Sequence, residues 1–226
     1  MLGQKVYLYV PWTFDRLGGV DVVVDNVFKA GNEQGFDIAI AEQSWEPFAQ
    51  KCDSDGRKFV SLNLVSPPAG AGAARVRSYM SFAKHSVKTL FQLRRQRVGV
   101  INVHFPTKLV YMLCVLKKLK LWRGKLVLSF HGSDVNALEA GDKIWANILN
   151  TADSITVCSN ALRVKLLSRI DSHHLPIRVI HNGINADYLT SCLKRPMESA
   201  FAVDGEYILC VANFVENKGQ DILVKA

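Results

Sequence analysis

Short apolar runs alternate with helical patterns along most of this chain, and that alternation narrows the folds open to it. The runs are KVYLYV (5–10), FDIAIA (36–41), KFVSLNLV (58–65), VGVINV (98–103), KLVLSF (125–130), SITVC (154–158) and IRVI (177–180). Most are too uniformly apolar to have one wet face, as befits strands of a parallel sheet covered on both sides. Helical patterns fall between them at 20–34, 75–97, 107–120, 139–150 and 159–169. In the first, Val20, Val23, Val24, Val27 and Phe28 make an apolar stripe. In the second, Val76, Tyr79, Met80, Ala83, Val87, Leu90 and Phe91 recur at helical spacing and are expected to face the core. The rhythm predicts an α/β fold, a doubly wound parallel sheet with helices on both faces. At 49% apolar residues, the 226-residue chain can supply a sizeable core.

The rhythm lapses after IRVI. Residues 189–205 are polar and turn-rich, with Pro196, and read as a linker. EYILCVAN (206–213) then reads as a new strand, and 218–226 as the start of a new helix. One βα unit cannot bury its own apolar face, so the expected division is the doubly wound domain over 1–188, a linker over 189–205, and the first βα unit of a truncated second domain over 206–226.

Several classes fall away. No apolar run reaches the ~20 residues that span a bilayer; the longest, 109–116, suits a buried helix. MLGQKVYLYVPW lacks the features of a signal peptide. Five cysteines, an odd number with no CxxC pair, suggest reduced thiols in a cytoplasmic protein. Cys114, Cys158 and Cys210 sit in apolar segments and are expected in the core.

Charge is unevenly spread. The net charge is +8, yet no Asp or Glu occurs between Asp55 and Asp134, an interval holding fifteen of the 28 Lys and Arg. Solvated helix faces would explain this, and so would a surface for an anionic partner. That partner could be a membrane leaflet, at about 1 kcal/mol per basic residue, or a phosphorylated acceptor. Nucleic acid is not expected, because no nucleic-acid-binding motif is present.

The residues that could do chemistry cluster at strand ends. His104 closes INVHFP, His131 closes VLSFHGSDV and His181 closes VIHNGI. In an open parallel sheet, ligands bind beyond the carboxyl ends of the strands, so the three imidazoles should share one rim. Gly132 permits an unusual backbone angle, and Ser133 or Asp134 can cap the helix that follows. The loop after the first strand adds Gly18 and Gly19, where open backbone and a helix N-terminus would attract phosphate. GxGxxG is absent. No carboxylate or cysteine accompanies the histidines at ligand spacing, so no metal site is expected. Lys218 opens the last helix at its electropositive end, a conflict that a bound anion would relieve.

Taken in order, GGVDVVV, VHFP, LSFHGSDV, ADSITVCSNALRVKLL, VIHNGI and YILCVANFVENKGQDILVKA resemble the group 1 (family 4-like) glycosyltransferases of the GT-B fold, across nearly the whole chain. The resemblance implies two Rossmann-like domains facing each other across a cleft, with acceptor held by the N-terminal one and nucleotide by the C-terminal one. It implies sugar transfer from a nucleotide-diphosphate donor to a glycan or lipid-linked acceptor, with retention, and without metal or cofactor. By resemblance, Gly18 and Gly19 approach the donor diphosphate and His131 lies at the reaction centre. Asn182 and Gly183 form the turn before the linker, and Lys218 neutralises the leaving diphosphate. His104, Gly132, Ser133, Asp134 and His181 would line the cleft. Asn213 stands where the family often has arginine, so half of the usual basic pair is missing. The family's paired-glutamate motif is not among these residues, so the polypeptide alone is expected to have negligible activity. The setting implied is cell-surface polysaccharide, lipopolysaccharide or glycolipid synthesis, at the cytosolic membrane face. The alternatives are a non-catalytic binding module or remnant of such an enzyme, and a sugar-nucleotide epimerase of the same fold.

Overall fold

The computed structural model describes residues 4–14, 18–44, 50–170, 175–184, 186–194, 205–212 and 218–226. They form two compact units, 1–184 and 185–226. The first unit is built on β1 (Lys5–Val10), which pairs in parallel with β2 (Ile38–Glu42) on one side and β5 (Val98–His104) on the other. Beyond β2 the sheet continues through the parallel β4 (Lys58–Ser61) and ends in β3 (Lys51–Cys52), a two-residue antiparallel edge strand. Beyond β5 follow β6 (Lys125–Phe130), β7 (Ser154–Val157) and β8 (Ile177–Val179), all parallel. The order is β3-β4-β2-β1-β5-β6-β7-β8. The chain therefore winds outward from β1 in one direction, then crosses back and winds outward in the other. The loops leaving β1 and β5 diverge at this switch point, which is where open α/β sheets hold ligands.

Strand burial explains the apolar runs. Tyr7 and Tyr9 of β1 join a large core with Ile101, Val103, Leu126, Leu128 and Phe130. Leu8 and Val10 point to the other face, where they pack with Ile38, Ile40 and Phe59 against Val24 and Phe28 of α1 (Gly19–Glu33). The larger core takes side chains from α2 (Gly72–Arg95), α3 (Tyr111–Lys118), α4 (Lys143–Thr151) and α5 (Asn160–Leu167). Local chemistry starts the last two. The Asp142 side chain accepts the Ile144 and Trp145 N–H groups, and the Ser159 hydroxyl accepts that of Leu162. Gly124 is required by space, since a Cβ there would lie 2.2 Å from the Trp122 ring. That indole is buried and donates to the Val98 carbonyl at 2.9 Å.

The structure corrects several expectations. α2 turns Phe82, Ser86, Thr89 and Leu93 inward and leaves Val76, Tyr79, Met80, Val87 and Phe91 exposed. The helix carries two competing stripes, and Phe82 against Tyr111 helps choose the less apolar one. α3 is preceded by a 3₁₀ turn (Lys108–Val110), and a second one (Ser133–Ala137) occupies the approach to α4. In the second unit, α6 (Ala186–Leu193) takes up part of the expected linker. Residues 206–212 form no strand, because a strand needs a ladder partner and none among the described residues pairs with them. Tyr207, Ile208, Leu209 and Val211 are exposed there, and Cys210 is exposed rather than in a core. The chain ends in the short α7 (Gln220–Lys225). Among the described residues, no helix is long and apolar enough to cross a membrane.

Candidate functional site

The β1–α1 loop is anchored from below by buried acids. Glu42 ends β2 almost wholly buried, accepts the Phe14 N–H at 3.0 Å and takes the Lys51 ammonium at 3.0 Å. Asp21, buried in the first turn of α1, accepts the Trp12 indole N–H at 2.9 Å. A carboxylate in the first turn also suits the electropositive end of a helix. Gly18 and Gly19 stand at that end. Gly18 is extended, and a Cβ on Gly19 would meet nothing within 4 Å. The pair therefore serves open access rather than a special backbone angle. The Asp21 carboxylate sits at the same helix start, so any phosphate approaching there meets an acid one turn in.

Across the switch point, the Trp12 ring meets Phe105 edge-on at 5.3 Å. Phe105 has φ +59°, a left-handed angle that costs a non-glycine residue about 1 kcal/mol or more. Its N–H donates to the Ser129 carbonyl, which pins the chain as it leaves β5. His104 immediately precedes it. The β5–β6 register pairs His104 with Ser129. His131 lies two residues further along, so by strand parity it falls on the same face as His104. His104 Nδ1 and His131 Nε2 are 3.0 Å apart.

His131 is held by its own loop. Asp134 is buried, and its carboxylate accepts the backbone N–H groups of His131, Gly132 and Val135. Gly132 has φ +147° and ψ −84°, which only glycine adopts cheaply. Burial pushes the Asp134 carboxyl above the usual carboxylate range, while the three backbone bonds pull against that shift. Ser133 is exposed at the start of the 3₁₀ turn. The His131 carbonyl accepts the Cys158 thiol at 3.7 Å, and the Cys158 carbonyl is 3.1 Å from His181 Nδ1.

The pair is electrically neutral at ordinary pH. Burial first, and then the neighbouring His131, lower the pKa of His104 to about 3; burial lowers that of His131 to about 4. Neutrality leaves two tautomeric arrangements. His104 Nε2 is buried with no hydrogen-bond partner among the described residues. If His131 donated to His104, the orphan would be a buried N–H, which is rarer in folded proteins than an orphan acceptor. The favoured arrangement has His104 Nδ1–H donating to His131 Nε2. His131 then carries its own proton on Nδ1, a donor suited to a hydroxyl or to developing negative charge.

Among the sequence-derived candidates, Gly18, Gly19, His104, His131, Gly132, Ser133, Asp134 and His181 follow one continuous rim. His104 and Asp134 lie beneath the surface rather than lining a cleft, because each supports His131 from behind. Asn182 and Gly183 are exposed just past β8. Lys218 is exposed in the second unit, before the left-handed Gly219. Asn213 lies outside the described residues. Sequence reasoning missed Trp12, Phe105, Glu42 and Lys51. The acid closing FDIAIAE and the aromatics flanking the switch point were the available signals.

A family model described as Glycosyltransferase Family 4 matches residues 17–188. The chain belongs to that family. Among curated proteins nothing matches. Among solved structures, this family 4 chain is similar to sucrose-phosphate synthase from Thermosynechococcus elongatus. One structure of it aligns with TM-score 0.56 at 14% identity over 86% of this chain and 53% of that one. Another aligns with TM-score 0.53 at 16% identity over 84% and 95%. The apo form of the lipopolysaccharide outer core galactosyltransferase WaaB aligns with TM-score 0.55 at 13% identity over 80% and 46%. These likenesses show the GT-B Rossmann-like fold. The family 4 chain spans about half the length of the WaaB chain and of the longer synthase chain.

Proposed function

We propose that the described rim is the acceptor-side half of a retaining glycosyltransferase site. The enzyme would move a sugar from a nucleotide-diphosphate donor to a glycan or lipid-linked acceptor in cell-surface polysaccharide, lipopolysaccharide or glycolipid synthesis, at an anionic membrane surface. Membership of Glycosyltransferase Family 4 supports the reaction class. The observation that carries the reading is the neutral His104–His131 pair beside the β1–β5 switch point. It presents a fixed donor from a loop that Asp134 immobilises. In this role His131 stabilises charge or orients a sugar hydroxyl, and His104 sets its tautomer. Gly18 and Gly19 leave room for the donor diphosphate, and Asn182, Gly183, Asn213 and Lys218 are assigned to the donor side.

Titrating the ¹⁵N-labelled chain with nucleotide-diphosphate sugars tests this. The amides of Gly18, Gly19, His131 and Gly132 should shift together, and His131→Ala should weaken the response. Shifts confined to other parts of the sheet would overturn the assignment.

A further inference from the structure

The outward face of α2 is unusual for a helix on a sheet. Val76, Met80, Ala83, Val87 and Phe91 lie within an arc of roughly 80°, at 100° per residue. The four large ones are 59–68% exposed. Beside this stripe run Arg77, Lys84, Lys88 and Arg95, and α2 contains no acid. Arg94, in line with the stripe, donates to the Leu121 carbonyl at 3.0 Å and joins the helix to the turn after α3. There Leu119 and Leu121 are exposed on either side of Lys120. A cleft of about 560 Å³ opens at this corner, with Arg94, Arg97, Lys120 and Arg123 in its walls. None of these cations forms an ion pair among the described residues. Elsewhere in the basic interval, Arg57, Lys108, Lys117 and Lys125 all do.

From this arrangement we infer that α2 lies on an anionic lipid bilayer, its apolar stripe in the headgroup layer and its flanking cations on lipid phosphates, with the corner cleft seating one headgroup. Charge chooses among the occupants. A second copy of the same face would bring like charges together. Nucleic acid would use the cations but leave the stripe in water. A bilayer with anionic lipids satisfies both, as for helices that lie in the membrane interface. The inference names the membrane partner within the function proposed above, but it rests on α2 and the adjoining corner alone. Vesicle binding and nucleotide-sugar binding can therefore fail separately.

The test is co-sedimentation of the 226-residue chain with vesicles of phosphatidylcholine alone, or with about one third phosphatidylglycerol, a composition chosen for its negative surface potential. The chain should pellet with the anionic vesicles and stay in solution with the neutral ones. Val87→Glu with Phe91→Glu, and separately Lys84→Gln with Lys88→Gln and Arg95→Gln, should each cut partitioning at least ~10-fold. Their melting curves should match the parent, since these side chains face solvent. At ~0.5 M salt binding should fall without vanishing, because the stripe is not screened. Equal binding to neutral vesicles, no binding to either, or unaffected variants would overturn the inference. So would a dimer in solution that the glutamate variant dissociates, or tighter binding to a duplex oligonucleotide than to anionic vesicles.

Discussion

The imidazole rim and the outer face of α2 invert the usual partition of side chains in opposite senses. At the rim, polar and ionisable groups are buried: His104, Asp134, Asp21 and Glu42 are all nearly inaccessible. On α2, Met80, Val87 and Phe91 stand in water. At the rim each buried acid has backbone or side-chain donors, and nearly every polar atom is satisfied, so desolvation is offset by geometry and the groups are held rigidly. On α2 nothing among the described residues covers the exposed apolar area, and the partner inferred above would supply the compensation. The first arrangement is preorganised chemistry, and the second is an unfinished interface.

If the rim is held by its buried carboxylates, Asp134→Ala should be among the most damaging changes. It strands three backbone N–H groups, at a cost of about 2–4 kcal/mol in denaturant unfolding. Asp134→Asn, which keeps one acceptor oxygen, should cost less. A loss under ~0.5 kcal/mol for the alanine variant would show that the loop holds itself.

Gly132→Ala comes next. Space is open around Gly132, so the penalty is the backbone angle alone, about 1–3 kcal/mol. His131 should also be displaced, visible as altered line width of its imidazole resonances.

The neutral pair adds a pH signature. Both histidines have folded pKa values below the unfolded 6.5, so below that pH the unfolded chain binds more protons. Their contribution is fully present above about pH 6.5 and is lost as pH falls toward about 4 for His131 and about 3 for His104. Asp53, Asp142 and Asp153, held below the ordinary carboxylate range with Arg57, Lys108, Lys117 and Lys125 among their partners, lose theirs only at lower pH. Asp134, shifted upward, opposes the loss. Urea midpoints at stepwise pH should therefore fall between pH 6.5 and 5 in the parent, and fall less in His104→Gln. A flat profile would mean the imidazoles are wetter than their burial indicates.

The smallest effect belongs to the opposite region. Phe91→Ser should change stability by no more than ~0.5 kcal/mol, because the ring contributes little to the folded chain's own core. A loss of 2 kcal/mol or more, as for a core aromatic, would place that face inside the fold and erase the contrast.

Much of the fold was legible because parallel strands advertise themselves. A strand buried on both faces must be apolar throughout, so KVYLYV and KLVLSF could hardly be anything else once helical patterns separated them. The strand-end histidines were legible for a related reason: a polar residue closing such a run has to sit at the sheet's edge. Their partnership was not. His104 and His131 are 27 residues apart, and only the β5–β6 register brings their rings together. The pairing of Glu42 with Lys51 escaped notice because Lys51 lies on a two-residue antiparallel strand, which has no periodicity to read.

The sequence by itself determined the α/β class, the rim on which the imidazoles fall and the acid-free basic interval, because each follows from local composition and strand parity. Tertiary structure alone decided which stripe of α2 meets the core, which nitrogens of His104 and His131 meet, and that 206–212 stays unpaired among the described residues. Each of those outcomes depends on a neighbour distant in sequence, on Tyr111, on His104 or on a ladder partner, and no local pattern encodes where such a neighbour will stand.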